Sequence, residues 1–316
     1  MKSVKLRSFL DRYSRVIVLL LLLVFFSCTT KTFWSIHNWT NLLNIILDQF
    51  PVLLLLAAGM TMVIIMKGID LSIGATVAFS ATLAALTMKA TQNVLLGIAV
   101  SVLVGAVIGV ANGTLIAVIK VPPYIATISM KWILTGLCYV ILNGSSVYDF
   151  PPGFKTMMQS TKYNYLLISV VIIGILAFVM GRTVFGRQVY ATGTNDAAAA
   201  ISGIKTKKIT MIVFVAVGIL SAVTGIMYMS FLGGVDATLG ASFPIRAIAA
   251  SLIGGNAFGG GKGKVTNAIV GALIMLVLTN GLLHLGIAAE WQQFVLGAVI
   301  ILAVIAESLN TKKKKV

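Results

Sequence analysis

Apolar residues run in blocks along nearly the whole chain, separated by short polar breaks. A hydrocarbon core of about 30 Å is crossed by about 20 helical residues. On that ruler the blocks predict ten spanning helices, near 16–36, 44–66, 71–88, 94–119, 124–142, 164–181, 209–230, 244–258, 264–286 and 291–307. The third and eighth are short and interrupted by small residues, which marks both as candidates for half-helices or re-entrant segments. The first block, Val16 to Cys28, follows a basic segment and has the form of a signal peptide. Cleavage near Ser27 would remove the only anchor ahead of the second block, so an uncleaved first helix is expected. The connection from Asn143 to Tyr163 carries Asp149, Pro151, Pro152 and Gly153 and reads as an ordered, turn-rich loop. The expected fold class is all-α and polytopic, a single transmembrane domain over residues 1–316. The blocks before and after the central polar break are expected to be two related halves, an inverted repeat, although no repeat is evident along the chain.

Composition agrees with the pattern. The chain is 59% hydrophobic and 10% charged, where a soluble domain carries about 25% charged residues. The net charge of +16 raises nucleic acid as a partner, but the placement of the bases excludes it. They flank the apolar blocks and do not gather on one soluble face. Eighteen of the 24 lysines and arginines fall on one side when the N-terminus is inside: Lys2, Lys5, Arg7, Arg12, Arg15, Lys67, Lys120, Arg182, Arg187, Lys205, Lys207, Lys208, Lys262, Lys264 and Lys312 to Lys315. Lys31, Lys89, Lys155 and Lys162 fall on the other. This asymmetry predicts a cytoplasmic basic N-terminus over 1–15, a cytoplasmic basic tail over 308–316 and contact with anionic lipid. Cys28 and Cys138 lie within apolar blocks and suggest neither a disulfide nor a metal site.

The longest interior polar stretch, residues 182–208, is basic and so is expected in the cytoplasm. Within it Asn195 can cap a short helix over Asp196 to Ile201, with Gly203 closing it. Such a helix, held between two spans, is a docking surface in form; a solvated connector that only sets topology is the plainer reading.

Three other places break the apolar pattern. At Lys67, Gly68, Asp70, Ser72 and Gly74 one span ends and the next begins, with Asp70 placed to cap the new helix and to pair with Lys67. From Gly254 to Lys264 glycines precede lysines, yet neither Lys262 nor Lys264 completes G-x-x-x-x-G-K-[ST], so no nucleotide loop is present and a flexible turn is expected. Scattered polar residues inside or at the ends of spans, Asn44, Gln49, Asn112, Ser129, Lys131, Arg246, Asn267, Asn280 and His284, mark either helix-to-helix bonds or a polar route. Neither HExxH nor GxSxG occurs, which leaves a membrane enzyme unsupported.

Five blocks in order resemble the permease subunits of bacterial ABC importers of the ribose or monosaccharide type, within the branched-chain amino acid and ribose permease superfamily. Ala58 to Ala81, AGMTMVIIMKGIDLSIGATVAFSA, resembles the GIDLS signature of that family. Lys120 to Leu137 resembles the opening of its fifth span, Arg182 to Ile204 its central cytoplasmic loop, and Ala247 to Ile274 with Trp291 to Val304 its last three spans. Pro244-Ile-Arg246, where the family often has Glu-Leu-Asp, and Lys131 depart from the pattern and leave the solute open among aldoses, polyols, nucleosides and autoinducer-2. The resemblance implies a bacterial inner-membrane subunit without an ATPase site of its own. It also implies ATP and Mg on separate ATP-binding subunits, a second permease chain, identical or homologous, and a periplasmic or lipid-anchored binding protein. Gly186, Arg187, Asn195, Asp196, Ala198, Ala199 and Gly203 then become the expected ATPase-docking residues. The rival reading is an ion-gradient-driven secondary transporter, which would need a carboxylate at mid-membrane. Asp48, Asp70 and Glu307 all lie near span ends.

Overall fold

The computed structural model describes residues 2–30, 33, 39–154 and 163–313, with most side chains from Arg15 to Ile305. The basic tail and the outer lysines Lys31, Lys155 and Lys162 lie outside the described residues or side chains. Helix α1 spans Lys2–Thr29. Helix α2 (Trp39–Asn44) runs through one π-helical turn, Ile45–Gln49, into α3 (Phe50–Ile65). There follow α4 (Ile73–Thr91), α5 (Val94–Ala117), α6 (Pro123–Leu142), α7 (Asn164–Arg182), α8 (Val184–Thr194), α9 (Asp196–Ile201), α10 (Thr206–Leu232), α11 (Phe243–Ile253), α12 (Asn267–His284) and α13 (Ala289–Lys313). Prolines open α6 and α11, where the missing N–H costs nothing. Left-handed Gln92, Asn143 and Gly233 close α4, α6 and α10.

Seven of the described helices are long and apolar enough to cross a bilayer, and Arg15–Thr29, Phe243–Ile253 and Glu290–Leu302 are shorter apolar stretches. Each of the ten expected blocks falls on one of these. The third block, expected to be short, is a full-length helix; the eighth, α11, has 11 residues and is about 16 Å long, half a bilayer core.

The centre of the fold is α3. Every residue from Phe50 to Ile65 is buried, and α7, α10, α11 and α12 pack around it. An all-round apolar helix suits that position, since no face has to meet water. Helix α5 lies along α10 by means of glycines at four-residue spacing: Gly105 meets Gly218, Gly109 meets Phe214 and Gly113 meets Met211. The close approach lets backbones touch, which is how helices associate where lipid removes the hydrophobic drive. Gly105→Leu is therefore expected to split this pair, with strain above the ~1–3 kcal/mol of ordinary overpacking; loss of the monodisperse peak in size-exclusion chromatography checks it.

Two turns leave the bundle core with the same local chemistry. In Gly68-Ile-Asp70-Leu-Ser72-Ile-Gly74, Asp70 Oδ1 accepts hydrogen bonds from Ser72 N (2.8 Å) and Ser72 Oγ (2.6 Å). In Gly234-Val-Asp236-Ala-Thr238-Leu-Gly240, Asp236 Oδ1 accepts from Thr238 N (2.7 Å) and Thr238 Oγ1 (2.6 Å). The first turn follows α3 and the second follows α10. These helices are antiparallel, because α3 ends and α10 begins beside the 182–208 segment. The turns nevertheless meet inside the molecule: a Cβ on Gly74 would overlap the Gly240 carbonyl. Non-helical backbone at such depth is tolerated when protein surrounds it.

Candidate functional site: the basic end and its docking helices

The segments expected inside converge on one end of the bundle. Lys67 Nζ donates to Thr194 O (2.7 Å), Lys120 Nζ lies 3.7 Å from Asp196 Oδ2, and Tyr190 Oη donates to Gly263 O (2.9 Å). Gly261 N donates to Ile65 O (2.7 Å), and Arg15 covers Gly255. The lysine-bearing turns, the central segment and the N-terminal helix therefore share this end.

At its outer surface stand α8 and α9. Thr183 Oγ1 accepts from Gly186 N (3.3 Å) and starts α8, an amphipathic helix that the pattern of the segment had not suggested. Asn195 Oδ1 accepts from Ala198 N (3.0 Å) and caps α9 over Asp196–Ile201, the helix expected there. Gly203, at φ +84, then takes the left-handed turn. Of the expected docking residues, Arg187, Asn195, Asp196, Ala198 and Gly203 are exposed, whereas Gly186 and Ala199 are buried. Gly186 lies against the Met180 backbone, where α8 folds back on α7. Gly193, at the far end of α8, sits on the Ile65 carbonyl, where α3 ends. Ile201, missed in the sequence, is 89% exposed at the tip of α9. Its signal was available: an isoleucine closing a helix in a polar stretch.

Behind these helices lies the Asp70 turn. Asp70 does not pair with Lys67, as expected from their spacing. Lys67, at φ +61, turns its side chain to Thr194, while Asp70 is 3% exposed and bonded to Ser72. Asn112 Nδ2 donates to Ser72 Oγ (2.9 Å), and Thr127 Oγ1 accepts from Leu71 N (3.1 Å), which ties the turn to α5 and α6.

The glycine-rich stretch after α11 is ordered, not a flexible turn. Asn256, 1% exposed, donates to Thr61 Oγ1 (3.1 Å) and Ser251 O (3.1 Å), and its Oδ1 accepts from Lys264 N (2.8 Å) and Asn267 Nδ2 (3.1 Å). One asparagine thus joins α3, α11 and α12, with no charge signal to announce it.

The scattered polar residues are not brought together in one place. Asn112 and Asn267 are used as above, Asn280 Oδ1 accepts from Asn41 Nδ2 (3.0 Å), and His284 stands edge-on to Phe33 at 6.1 Å. Asn44, Gln49 and Ser129 are exposed at separate places. Arg246 lies near Tyr228, with its Nε buried and without a hydrogen-bond partner among the described residues. Lys131, 5.6 Å from the Trp132 ring centroid, lines a cavity of about 80 Å³ with Trp132, Thr135, Thr238 and Pro244, beside the meeting of the two turns.

Comparison with known proteins places this architecture. The chain is 34% identical over 314 residues to the ribose import permease protein of Escherichia coli, covering 96% of this chain and 95% of the relative. It is 34% identical over 320 residues to the galactose/methyl galactoside import permease protein of Haemophilus influenzae (94% of each). It is 34% identical over 294 residues to the ribose import permease protein of Bacillus subtilis (92% and 90%). No solved structure matches. Residues 42–304 match the family model described as branched-chain amino acid transport system / permease component, and the chain belongs to that family.

Proposed function

We propose that this chain is the transmembrane permease subunit of an ATP-driven importer in the bacterial inner membrane, passing a sugar handed over by an extracytoplasmic binding protein. The reading rests on the family and on relatives named for ribose and galactose import. ATP and Mg are held by separate ATP-binding subunits, and two permease chains enclose the route. All ten apolar helices cross or enter the membrane, both termini are cytoplasmic, and the halves form an inverted repeat. The support for the repeat is the Asp-x-Ser/Thr turn found after α3 and again after α10. Gly59 and Ala75 match Gly225 and Ala241 at the same offset.

Residues 182–208 serve as the coupling segment, with Arg187, Asn195, Asp196, Ala198 and Ile201 touching the ATPase and Gly186 and Ala199 holding the helices in place. The observation that carries this is mechanical. Helices α8 and α9 rest on the end of α3 through Gly193, so a push from an ATPase reaches the most buried helix directly. Near the meeting turns, Lys131, Trp132, Thr135 and Thr238 offer an aromatic face and polar groups to a sugar. The cavity there is small, about 80 Å³, and a sugar passes only where its walls part. Opening requires differential affinity of ligand or nucleotide for the open state.

Purification of the tagged chain in mild detergent tests the proposal. A co-purifying ATPase, lost when residues 195–201 are scrambled, together with ATP-dependent uptake of labelled ribose or galactose, is expected. A clean homo-oligomer without ATPase, under conditions that preserve known complexes, would point to an ion-driven transporter.

A further inference from the structure

The basic end encloses a cleft of about 610 Å³ between the docking helices and the membrane core. Its walls include the end of α3 (Met66, Lys67), the end of α5 (Lys120), the α8–α9 junction (Thr192, Asp196) and the start of α10 (Lys207). We propose that this cleft binds a phosphoryl anion on the cytoplasmic side, either the headgroup of an anionic phospholipid or a soluble phosphate ester.

Four observations carry the inference. Lys67, Lys120 and Lys207 line the cleft with one carboxylate, Asp196, so the walls keep an excess of two positive charges. A phosphate monoester near pH 7 carries about −1.5 to −2 and a phospholipid phosphodiester carries one negative charge, so either is drawn to that excess. The Lys120–Asp196 pair is spread over 3.7 Å with both side chains more than half exposed, and pairs so exposed contribute little. A phosphate can therefore take Lys120 from Asp196 at small cost. Second, α10, 27 residues long, points its N-terminus into the cleft without a side-chain cap. Among the described residues the N–H groups of Lys207 and Lys208 find no acceptor. Free N–H groups and the positive end of a long helix form a ready anion seat. Third, Thr192 is 6% exposed, forms part of the wall and has a hydroxyl with no protein partner. Fourth, Lys67 and Lys120 both adopt positive φ, +61 and +67, where glycine is the ordinary occupant. Lysine persists at both turns although its backbone is strained there, which suits a role for the ammonium groups.

The position gives the site a consequence. Lys67 and Lys120 are the two side chains that bridge the membrane core to Thr194 and Asp196 on the docking segment. An anion drawing on both would loosen or re-aim that bridge, so occupancy is expected to alter the coupling between ATPase and permease.

The test uses the complete chain, without ATPase, in nanodiscs of phosphatidylcholine alone or mixed with phosphatidylglycerol. Calorimetric titration with ribose 5-phosphate is compared with ribose, and phosphatidylglycerol retained through purification is measured by mass spectrometry. Saturable binding of ribose 5-phosphate but not ribose identifies a soluble ester. Retention of phosphatidylglycerol without that binding identifies a lipid headgroup. In either arm the double variant Lys120→Ala/Lys207→Ala should weaken binding at least about tenfold, the loss of two charge-assisted bonds. Thr192→Val should weaken it about threefold, a lost neutral bond, and Lys89→Ala, at the opposite end, should leave it unchanged. No binding of either probe, or binding that the double variant leaves intact, overturns the proposal. The readout is binding and not uptake, so failure of the transport reading would leave this result standing on its own.

Discussion

Ile201→Asp is expected to abolish recovery of the ATPase with the tagged permease while leaving the amount of permease in the membrane unchanged. The side chain is 89% exposed, so the fold gains little from it and loses little when it goes. A partner that buried it would gain about 1.5–3 kcal/mol at each site. Aspartate removes that gain and adds a charge that would have to be desolvated in the interface. In the two-permease assembly proposed above the contact would be lost in both copies, so the expected fall in affinity is at least about a hundredfold. Pull-down of the ATPase beside a fluorescent-fusion measure of permease abundance checks both halves of the statement. Undiminished ATPase recovery would show that α9 is not the docking element.

Gly193→Ala is expected to do the opposite: to keep the ATPase bound and to cut uptake at least about tenfold, the equivalent of about 1.4 kcal/mol in the coupling step. A methyl group at this position would overlap the carbonyl oxygen of Ile65, which already accepts from Gly261 N at 2.7 Å. Alanine therefore has to lift the end of α8 off α3, yet α9 keeps its own cap at Asn195 and still presents Ile201. What is lost is the rigid seat through which α8 would press on the central helix. ATP hydrolysis measured on the intact complex separates the outcomes: retained hydrolysis with lost uptake is uncoupling, whereas normal uptake would show that the Gly193 contact transmits nothing.

These two residues mark how far the chain could be read in advance. The short helix α9 was legible because its signals are local: Asn195 caps it, a run of alanines carries it and Gly203 ends it. The spans were legible for a similar reason, since hydrocarbon thickness imposes length and composition one helix at a time. The common end of Lys67, Lys120 and the central segment followed from the charge asymmetry alone. Other features had no local signal. Gly193 looks like any glycine until the end of α3 arrives beneath it. Asn256 is an uncharged residue in a glycine-rich stretch, and its bond to Thr61 joins it to an element 195 positions away. The expected Lys67–Asp70 pair failed because spacing does not encode the left-handed backbone that points Lys67 elsewhere.

The repeated turn shows the same limit from another side. Asp70-Leu-Ser72 and Asp236-Ala-Thr238 are weak similarities as strings, and they become a pair once both are seen to make the same two hydrogen bonds and to meet at Gly74 and Gly240. Class and the apolar helices were thus written in the order of residues, because a bilayer acts on each segment separately through its thickness. Which polar groups bond to one another, which glycines are contacts and which lysines share a cleft depended on the packed bundle. Those properties belong to pairs of residues distant along the chain, and only folding brings such pairs within reach.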